Sequence, residues 1–202
     1  MNDHYFSASP ASGHQYQTAE WTYRGHVLRF TTDAGVFSKG EVDFGTATLL
    51  KALPEEMVGR VLDLGCGWGA VGVSVGKAFP ACEIVMSDVN QRALELSEKN
   101  AKVNGVPAQI VASDGLESVP GTFDYIITNP PIRAGKQVIY KMFSDSAERL
   151  NENGQLYLVI RKQQGAESAL KYLKTIYNEV DTVEKSGGFW VIRCQGGKRD
   201  EV

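Results

Sequence analysis

The sequence predicts an α/β protein built on a mostly parallel β-sheet covered by helices on both faces, with one reversed strand at its end. Three observations carry this. From Arg60 onward short apolar runs alternate with longer helical patterns, as parallel strands joined by helical crossovers require. The run Val61–Leu64 leads into Gly65-Cys66-Gly67-Trp68-Gly69, a turn whose glycines let backbone approach a ligand and swing into a helix. Near the C-terminus Gly187-Gly188 separates two adjacent strand-like segments, which makes an antiparallel hairpin.

The elements follow in order. Residues 1–19 mix Ser, Pro, Gly, Gln and His without a period and read as an irregular arm. Trp21–Arg24 and His26–Thr31 read as two strands of a hairpin around Gly25. Asp43–Leu53 has helical character and stops at Pro54. Strand Arg60–Leu64 is followed by a helix to about Phe79, closed by Pro80. Strand Glu83–Ser87 precedes a helix capped by Asn90 that runs through Asn104 and stops at Gly105. Ala108–Ala112 and Phe123–Thr128 are further strands, then come helix Gln137–Leu150, strand Gln155–Ile160 and helix Ala166–Tyr177. Strands Val180–Lys185 and Phe189–Cys194 close a seven-stranded sheet, and the tail Gly196–Val202 is expected to fray. Residues 1–59 therefore form an arm, hairpin and helix packed on one compact unit of residues 60–202.

Bulk properties exclude several classes. At 202 residues and 43% hydrophobic content the chain fits one domain with a substantial core. No apolar run approaches the roughly 18 residues of a membrane span, and the N-terminus lacks the apolar centre of a secretory signal. Cys66, Cys82 and Cys194 are odd in number and widely spaced, so they read as reduced thiols of a cytoplasmic protein, without a metal-ligand pattern. His4, His14 and His26 all precede the core motifs, which argues against a histidine metal site or relay. A net charge of −3 argues against nonspecific coating of nucleic acid. Arg133, Lys136, Lys141, Arg161 and Lys162 could still form a local basic face, or simply a solvated rim.

The chemistry is carried by Asn129-Pro130-Pro131-Ile132, at the end of the run Phe123–Thr128. The prolines make the turn stiff and remove donors, so the Asn129 side-chain oxygen and a neighbouring carbonyl present acceptors. Two acceptors side by side suit a planar –NH2 group, although Asn-Pro also simply starts turns. Gly65, Gly67 and Gly69 mark the cofactor end of the first sheet strand, and Asp88, ending the second, is an acceptor for two ribose hydroxyls.

Two cofactors compete for this turn. Gly67-x-Gly69-x-x-Gly72 formally matches a dinucleotide fingerprint. Asp63 just ahead of it would repel a pyrophosphate and attract an ammonium. S-adenosylmethionine carries an ammonium and a sulfonium and no phosphate, and is the favoured ligand. A purely structural glycine turn is the bland alternative. Ser113-Asp114, ending the third strand, could receive the adenine amine.

Taken in order, Val61–Gly69, Ser87–Asn90, Ser113-Asp114 and Asn129–Ile132 resemble class I S-adenosylmethionine-dependent methyltransferases. Thr32–Ser38, Asp43-Phe44-Gly45 and Asn129–Lys136 sharpen this: they resemble the bacterial small-subunit ribosomal RNA methyltransferase C-like group, and the chain looks like that group's short form, the catalytic domain alone. The resemblance implies a Rossmann-like class I methyltransferase fold and methylation of the exocyclic amine of a guanine in 16S ribosomal RNA, with free RNA or the 30S subunit as partner. It implies catalytic roles for Asn129, Pro130 and Pro131, and no metal. Cofactor contacts would come from Phe37, Asp63, Gly65, Gly67, Gly69, Asp88, Val89, Ser113, Asp114 and Asn129, with Phe37 in a loop that closes over the pocket. Phe37 equally suits a core position under that loop. Ile132, Arg133 and Lys136 would meet the substrate. One departure stands out. Many enzymes with this tetrapeptide have an aromatic ring in its fourth place to stack on the base, where this chain has Ile132. That leaves room for a protein glutamine amide as acceptor, or for a non-catalytic cofactor-binding protein associated with the ribosome.

Overall fold

In the computed structural model, which describes residues 13–197, the hairpin comes first, as β1 (Gln17–Tyr23) and β2 (His26–Thr32). Helix α1 (Phe44–Lys51) leads to the alternating region: β3 (Gly59–Leu64), α2 (Ala70–Ala78), β4 (Cys82–Asp88), α3 (Gln91–Val103), β5 (Ala108–Ala112) and β6 (Phe123–Thr128). Then follow α4 (Lys136–Arg149), β7 (Leu150–Arg161), α5 (Ala166–Ile176), β8 (Tyr177–Ser186) and β9 (Phe189–Gly197).

Strands β3–β9 form one seven-stranded sheet in the order β5-β4-β3-β6-β7-β9-β8, and β1–β2 a separate antiparallel pair. The sheet is parallel except for β9, which runs against both β7 and β8. The last strand of the chain is thus the reversed one, inserted between β7 and β8 instead of lying at the edge. Strand order reverses between β3 and β6, which opens a crevice at their carboxyl ends. The Thr128 hydroxyl donates to the Leu64 carbonyl at 2.8 Å there, joining the two strand ends where the ladder stops.

Alternation of side chains along the strands divides the core in two. Val61, Ile127, Tyr157 and Val159 face the layer of the hairpin, α1, α2 and α3, with Leu49, Val73, Val75 and Leu96. Leu62, Leu64, Ile126, Leu156 and Leu158 face α4 and α5, with Ile139, Phe143, Ala169 and Leu173. Burial on both faces explains why these strands are apolar at nearly every position.

Caps set the helix bounds. Asn90 accepts from the Arg92 and Ala93 N–H groups and starts α3, as the sequence suggested. Asp43 is the corresponding cap of α1, so that helix begins one residue later than expected. Two asparagines, Asn100 on α3 and Asn104 at its C-terminal cap, hold the hairpin: Asn100 accepts from Thr31 N–H at 2.8 Å, and Asn104 from Arg29 N–H at 3.0 Å.

Three sequence expectations need correction. The irregular arm assigned to residues 1–19 ends earlier, because Gln17–Ala19 already pair with Phe30–Thr32; residues 1–12 lie outside the described residues. The expected strand at Gln155 starts at Leu150, since pairing jumps from Phe123–Leu150 to Tyr125–Gln155 and loops out the polar stretch 151–154. In the tail, Gly196 and Gly197 belong to β9, with Gly197 paired to Tyr177, whereas 198–202 lie outside the described residues.

Candidate active site

A cleft of about 860 Å³ opens at the carboxyl ends of β3, β4, β5 and β6. One wall begins with the glycine turn. The Gly65 and Cys66 N–H groups both donate to the Ser87 carbonyl at 2.9 Å, which swings the chain out of β3 and over β4. Gly65 and Gly67 have φ of +71° and +54°, a left-handed conformation that disfavours any side chain with a Cβ. Gly69 stands outside the lining. It starts α2, and a Cβ there would meet Ser97 and Met86 at 3.1–3.4 Å, so its work is close packing against α3 and β4.

Asp88 ties the wall together. One carboxylate oxygen accepts from Gly67 N–H and the other from Asn90 N–H, both at 2.9 Å. Burial raises its pKa, against the pull of the N–H groups of Asn90, Gly67 and Val89. Each oxygen keeps acceptor capacity for a further donor. Asp63 is sealed beneath, accepting from Gly72 N–H at 2.8 Å. Ser87, Val89, Ser113 and Asp114 complete this side, with Asp114 exposed. The Ser113 hydroxyl accepts from Ser118 N–H at 3.0 Å, which shapes the loop after β5. Among the described residues the buried Ser87 hydroxyl has no hydrogen-bond partner.

The segment 33–38 brings Val36, Phe37 and Ser38 to the cleft. Asp33 is fully buried and accepts from Gln15 N–H at 2.6 Å and Ala34 N–H at 2.7 Å. Asn90 donates to the Gly35 carbonyl at 3.0 Å and Arg92 to the Ala34 carbonyl at 2.7 Å. The buried Trp68 indole N–H is shared between the Phe37 and Ser38 carbonyls at 2.9 and 3.0 Å. This anchoring leaves the Phe37 ring half exposed at the cleft, so it is not a core aromatic.

Asn129, Pro130, Pro131 and Ile132 form the opposite wall. Pro131 accepts from Ala134 N–H at 2.9 Å to close a short 3-10 turn at Ile132–Ala134, in which the Pro130 carbonyl takes no part. The Asn129 side-chain nitrogen donates to Thr46 Oγ1 at 3.0 Å. Arg133 is exposed, lines the cleft and makes no ion pair among the described residues. Lys136 points away from the lining, its ammonium 5.0 Å from the Tyr140 ring centre.

Sequence reasoning overlooked several lining residues. Thr46 and Phe189 face this wall, the latter with the Arg161 guanidinium 5.2 Å above its ring. In the sequence Trp68 is simply one residue of the glycine turn. Position relative to the glycine motif gave no sign of Phe189, which reaches the cleft from the last strand.

The residues fit a cationic ligand without phosphates. Asp88 and Asp114 put carboxylates along the glycine-side wall, above the buried Asp63, where a pyrophosphate would meet repulsion. The glycine turn leaves its floor clear, and the Ser87 hydroxyl awaits a partner. Fold and site together define an S-adenosylmethionine-dependent methyltransferase. Residues 27–193 match the model of the methyltransferase small domain family, and the chain belongs to that family.

It is 44% identical over 199 residues to the uncharacterized protein YbxB of Bacillus subtilis, covering 96% of this chain and 99% of that one. It is 36% identical to the ribosomal RNA small subunit methyltransferase C of Pseudoalteromonas atlantica, over 80% of this chain and 47% of that protein. The corresponding protein of Hahella chejuensis is 40% identical over 67% of this chain and 41% of its own length. The chain thus spans about half the length of these ribosomal RNA methyltransferases. Among solved structures, the T. thermophilus 16S rRNA N2 G1207 methyltransferase in complex with AdoMet and guanosine superposes with a TM-score of 0.81 at 26% identity, covering 90% of this chain and 50% of that one.

Proposed function

We propose that this protein methylates the exocyclic amine of a guanine in small-subunit ribosomal RNA. The observation that carries the reading is that Asn129 and Pro130 line the same cleft as Asp88 and the glycine turn. Similarity to ribosomal RNA methyltransferases C, and to a solved relative described with AdoMet and guanosine, supports the same acceptor.

Bound S-adenosylmethionine supplies an electrophilic methyl group on a sulfonium. Asp88 would receive the ribose hydroxyls, Asp63 the positive end of the ligand, and Ser113 and Asp114 the adenine edge. The protein's part in the transfer is positioning. The lone pair of an aromatic amine is delocalised into its ring, so hydrogen bonds from the –NH2 to Asn129 Oδ1 and the Pro130 carbonyl would draw the nitrogen toward tetrahedral geometry. They also aim the lone pair at the methyl carbon. Alignment of this kind is worth roughly 7–11 kcal/mol of barrier. The proton leaves to water after transfer, and Pro131 keeps the turn stiff.

On the acceptor side Ile132 packs against the base, Phe189 offers the aromatic surface that position 132 lacks, and Arg133 meets phosphate. Lys136, turned toward Tyr140, contributes to the surrounding field. An unpaired guanine is the easier target, since extruding a paired one costs about a few kcal/mol.

The test is transfer of radiolabelled methyl from S-adenosylmethionine to purified 30S subunits and to naked 16S RNA, both from cells lacking this protein. Label recovered as N2-methylguanosine is expected, and lost in Asn129→Ala with cofactor affinity kept. Label absent from both RNAs despite cofactor binding would overturn the acceptor.

A further inference from the structure

Asn129 ends β6, but the group that holds its side chain belongs to α1, far back in the sequence. Asp43 caps that helix: its Oδ1 accepts from Gly45 N–H at 3.0 Å and Thr46 N–H at 3.2 Å, and its Oδ2 accepts the Thr46 hydroxyl hydrogen. Thr46 is 6% exposed, which leaves little room for water to compete. From this chain of contacts we infer that Thr46 and Asp43 are positioning residues that fix which way round the Asn129 amide is presented to the acceptor.

A threonine hydroxyl has one hydrogen, and a carboxylate only accepts. With that hydrogen committed to Asp43, Thr46 Oγ1 can only accept from Asn129. The atom 3.0 Å from it must be the amide nitrogen. An asparagine viewed by shape alone can be placed either way round, but this donor sequence permits one orientation. The carbonyl oxygen Oδ1 is left for the cleft that Asn129 lines. The reversed amide would aim two N–H donors at an incoming –NH2 and repel it. An N-terminal helix cap, ordinarily a matter of stability, here also sets the polarity of the acceptor site.

The inference rests on the reading of Asn129 as receiver of an –NH2 group, and the variants separate the two. Thr46→Val keeps the shape and removes the hydroxyl. It should lower kcat for methyl transfer to 30S subunits or 16S RNA by roughly ten- to hundredfold, the scale seen when a partner that orients a metal-binding side chain is lost. S-adenosylmethionine affinity by calorimetry should stay within about twofold of wild type, and Thr46→Ser should restore kcat. Asp43→Asn still caps α1, yet its amide can donate to Thr46 Oγ1, which frees the Thr46 hydrogen to point at Asn129 and turns the amide over. It should fail like Thr46→Val at unchanged melting temperature.

Asn129→Ala decides between the two levels. If it is inactive while Thr46→Val keeps wild-type kcat, the positioning inference falls and the role of Asn129 stands. If Asn129→Ala remains active, the role of Asn129 falls, and the inference with it. Amide NMR reads the orientation without any acceptor. Nuclear Overhauser contacts from the Asn129 Nδ2 protons to the Thr46 methyl are expected in the wild type and should be lost in Asp43→Asn; their absence from the wild type would overturn the inference.

Discussion

The backbone N–H of Gly72 donates to Asp63 Oδ2 at 2.8 Å, pinning a carboxylate sealed from solvent against the first turn of α2. Burial lifts its pKa from 3.8 to about 7, against the pull of the Gly72 N–H and with a push from the Asp88 charge. A group whose pKa is higher folded than unfolded holds extra protons in the native state. Its contribution is therefore complete below about pH 4 and is lost as pH rises through about 7. Thermal melts of ligand-free protein from pH 5 to 8 should show falling stability, and Asp63→Asn should flatten the slope. A cationic cofactor favours the carboxylate, so S-adenosylmethionine affinity should rise on the order of tenfold across the same range. An Asp63→Asn variant with unchanged pH dependence in both experiments would remove Asp63 as the source.

Asp88 does two jobs whose losses can be told apart. Asp88→Ala removes the acceptors that bridge Gly67 and Asn90 and that would bind the ribose hydroxyls. Affinity for S-adenosylmethionine should weaken by roughly 1–3 kcal/mol. The same variant should bind a cofactor fragment lacking the ribose, methionine for instance, nearly as the wild type does. Equal weakening for both would mean that the bridge alone matters.

Asp33 anchors the segment over the cleft. Burial by itself would raise its pKa, but the contacts with His14, the N–H groups of Gln15 and Ala34 and the Arg92 charge outweigh that and hold it below the usual range. The sign is opposite to that of Asp63: this stabilisation is complete above about pH 4 and is lost as pH falls through the depressed value. Asp33→Ala should cost about 2–4 kcal/mol, because it strips a carboxylate from a buried set of donors. At pH 7 the melting temperature should drop by roughly 5–15 °C, and S-adenosylmethionine should dissociate faster as the segment leading to Phe37 loses one of its anchors. A drop below about 2 °C would show that the segment is held by Asn90 and Trp68 instead.

Much of the sheet was legible because its signals are local. Apolar runs such as Phe123–Thr128 are buried on both faces, and Asn90 caps α3 through its own neighbours. The extension of β7 was not legible, since Asn151-Glu152-Asn153-Gly154 has turn composition and its looping out depends on pairing with β6. β1 hid its start for a related reason. Gln17 and Thr18 are exposed and polar, and only pairing with β2 makes them a strand. In the site, Asn129 and Asp88 were found because each ends a strand beside a turn. Thr46 and Phe189 were not, because they enter the cleft from segments distant in sequence, and nothing local distinguishes a helix threonine or a strand phenylalanine that lines a cleft.

Gly45 and Phe189 join those distant segments, and their contact gives the most discriminating stability test. A Cβ on Gly45 would lie 2.8 Å from Phe189 Cε1 and 3.0 Å from Cδ1, closer than packed carbons come. Gly45 is helical, so Gly45→Ala gains up to about 1 kcal/mol of helix propensity. Overpacking costs roughly 1–3 kcal/mol and should win, giving a net loss of about 0–3 kcal/mol in denaturant unfolding. The displaced ring lines the cleft, so turnover should fall while cofactor affinity holds. Phe189→Leu in the same chain relieves the overlap, and the double variant should be more stable than the sum of the single changes by at least about 0.5 kcal/mol. Strict additivity would mean that ring and helix move apart without strain, and that Gly45 is needed only by the cap at Asp43.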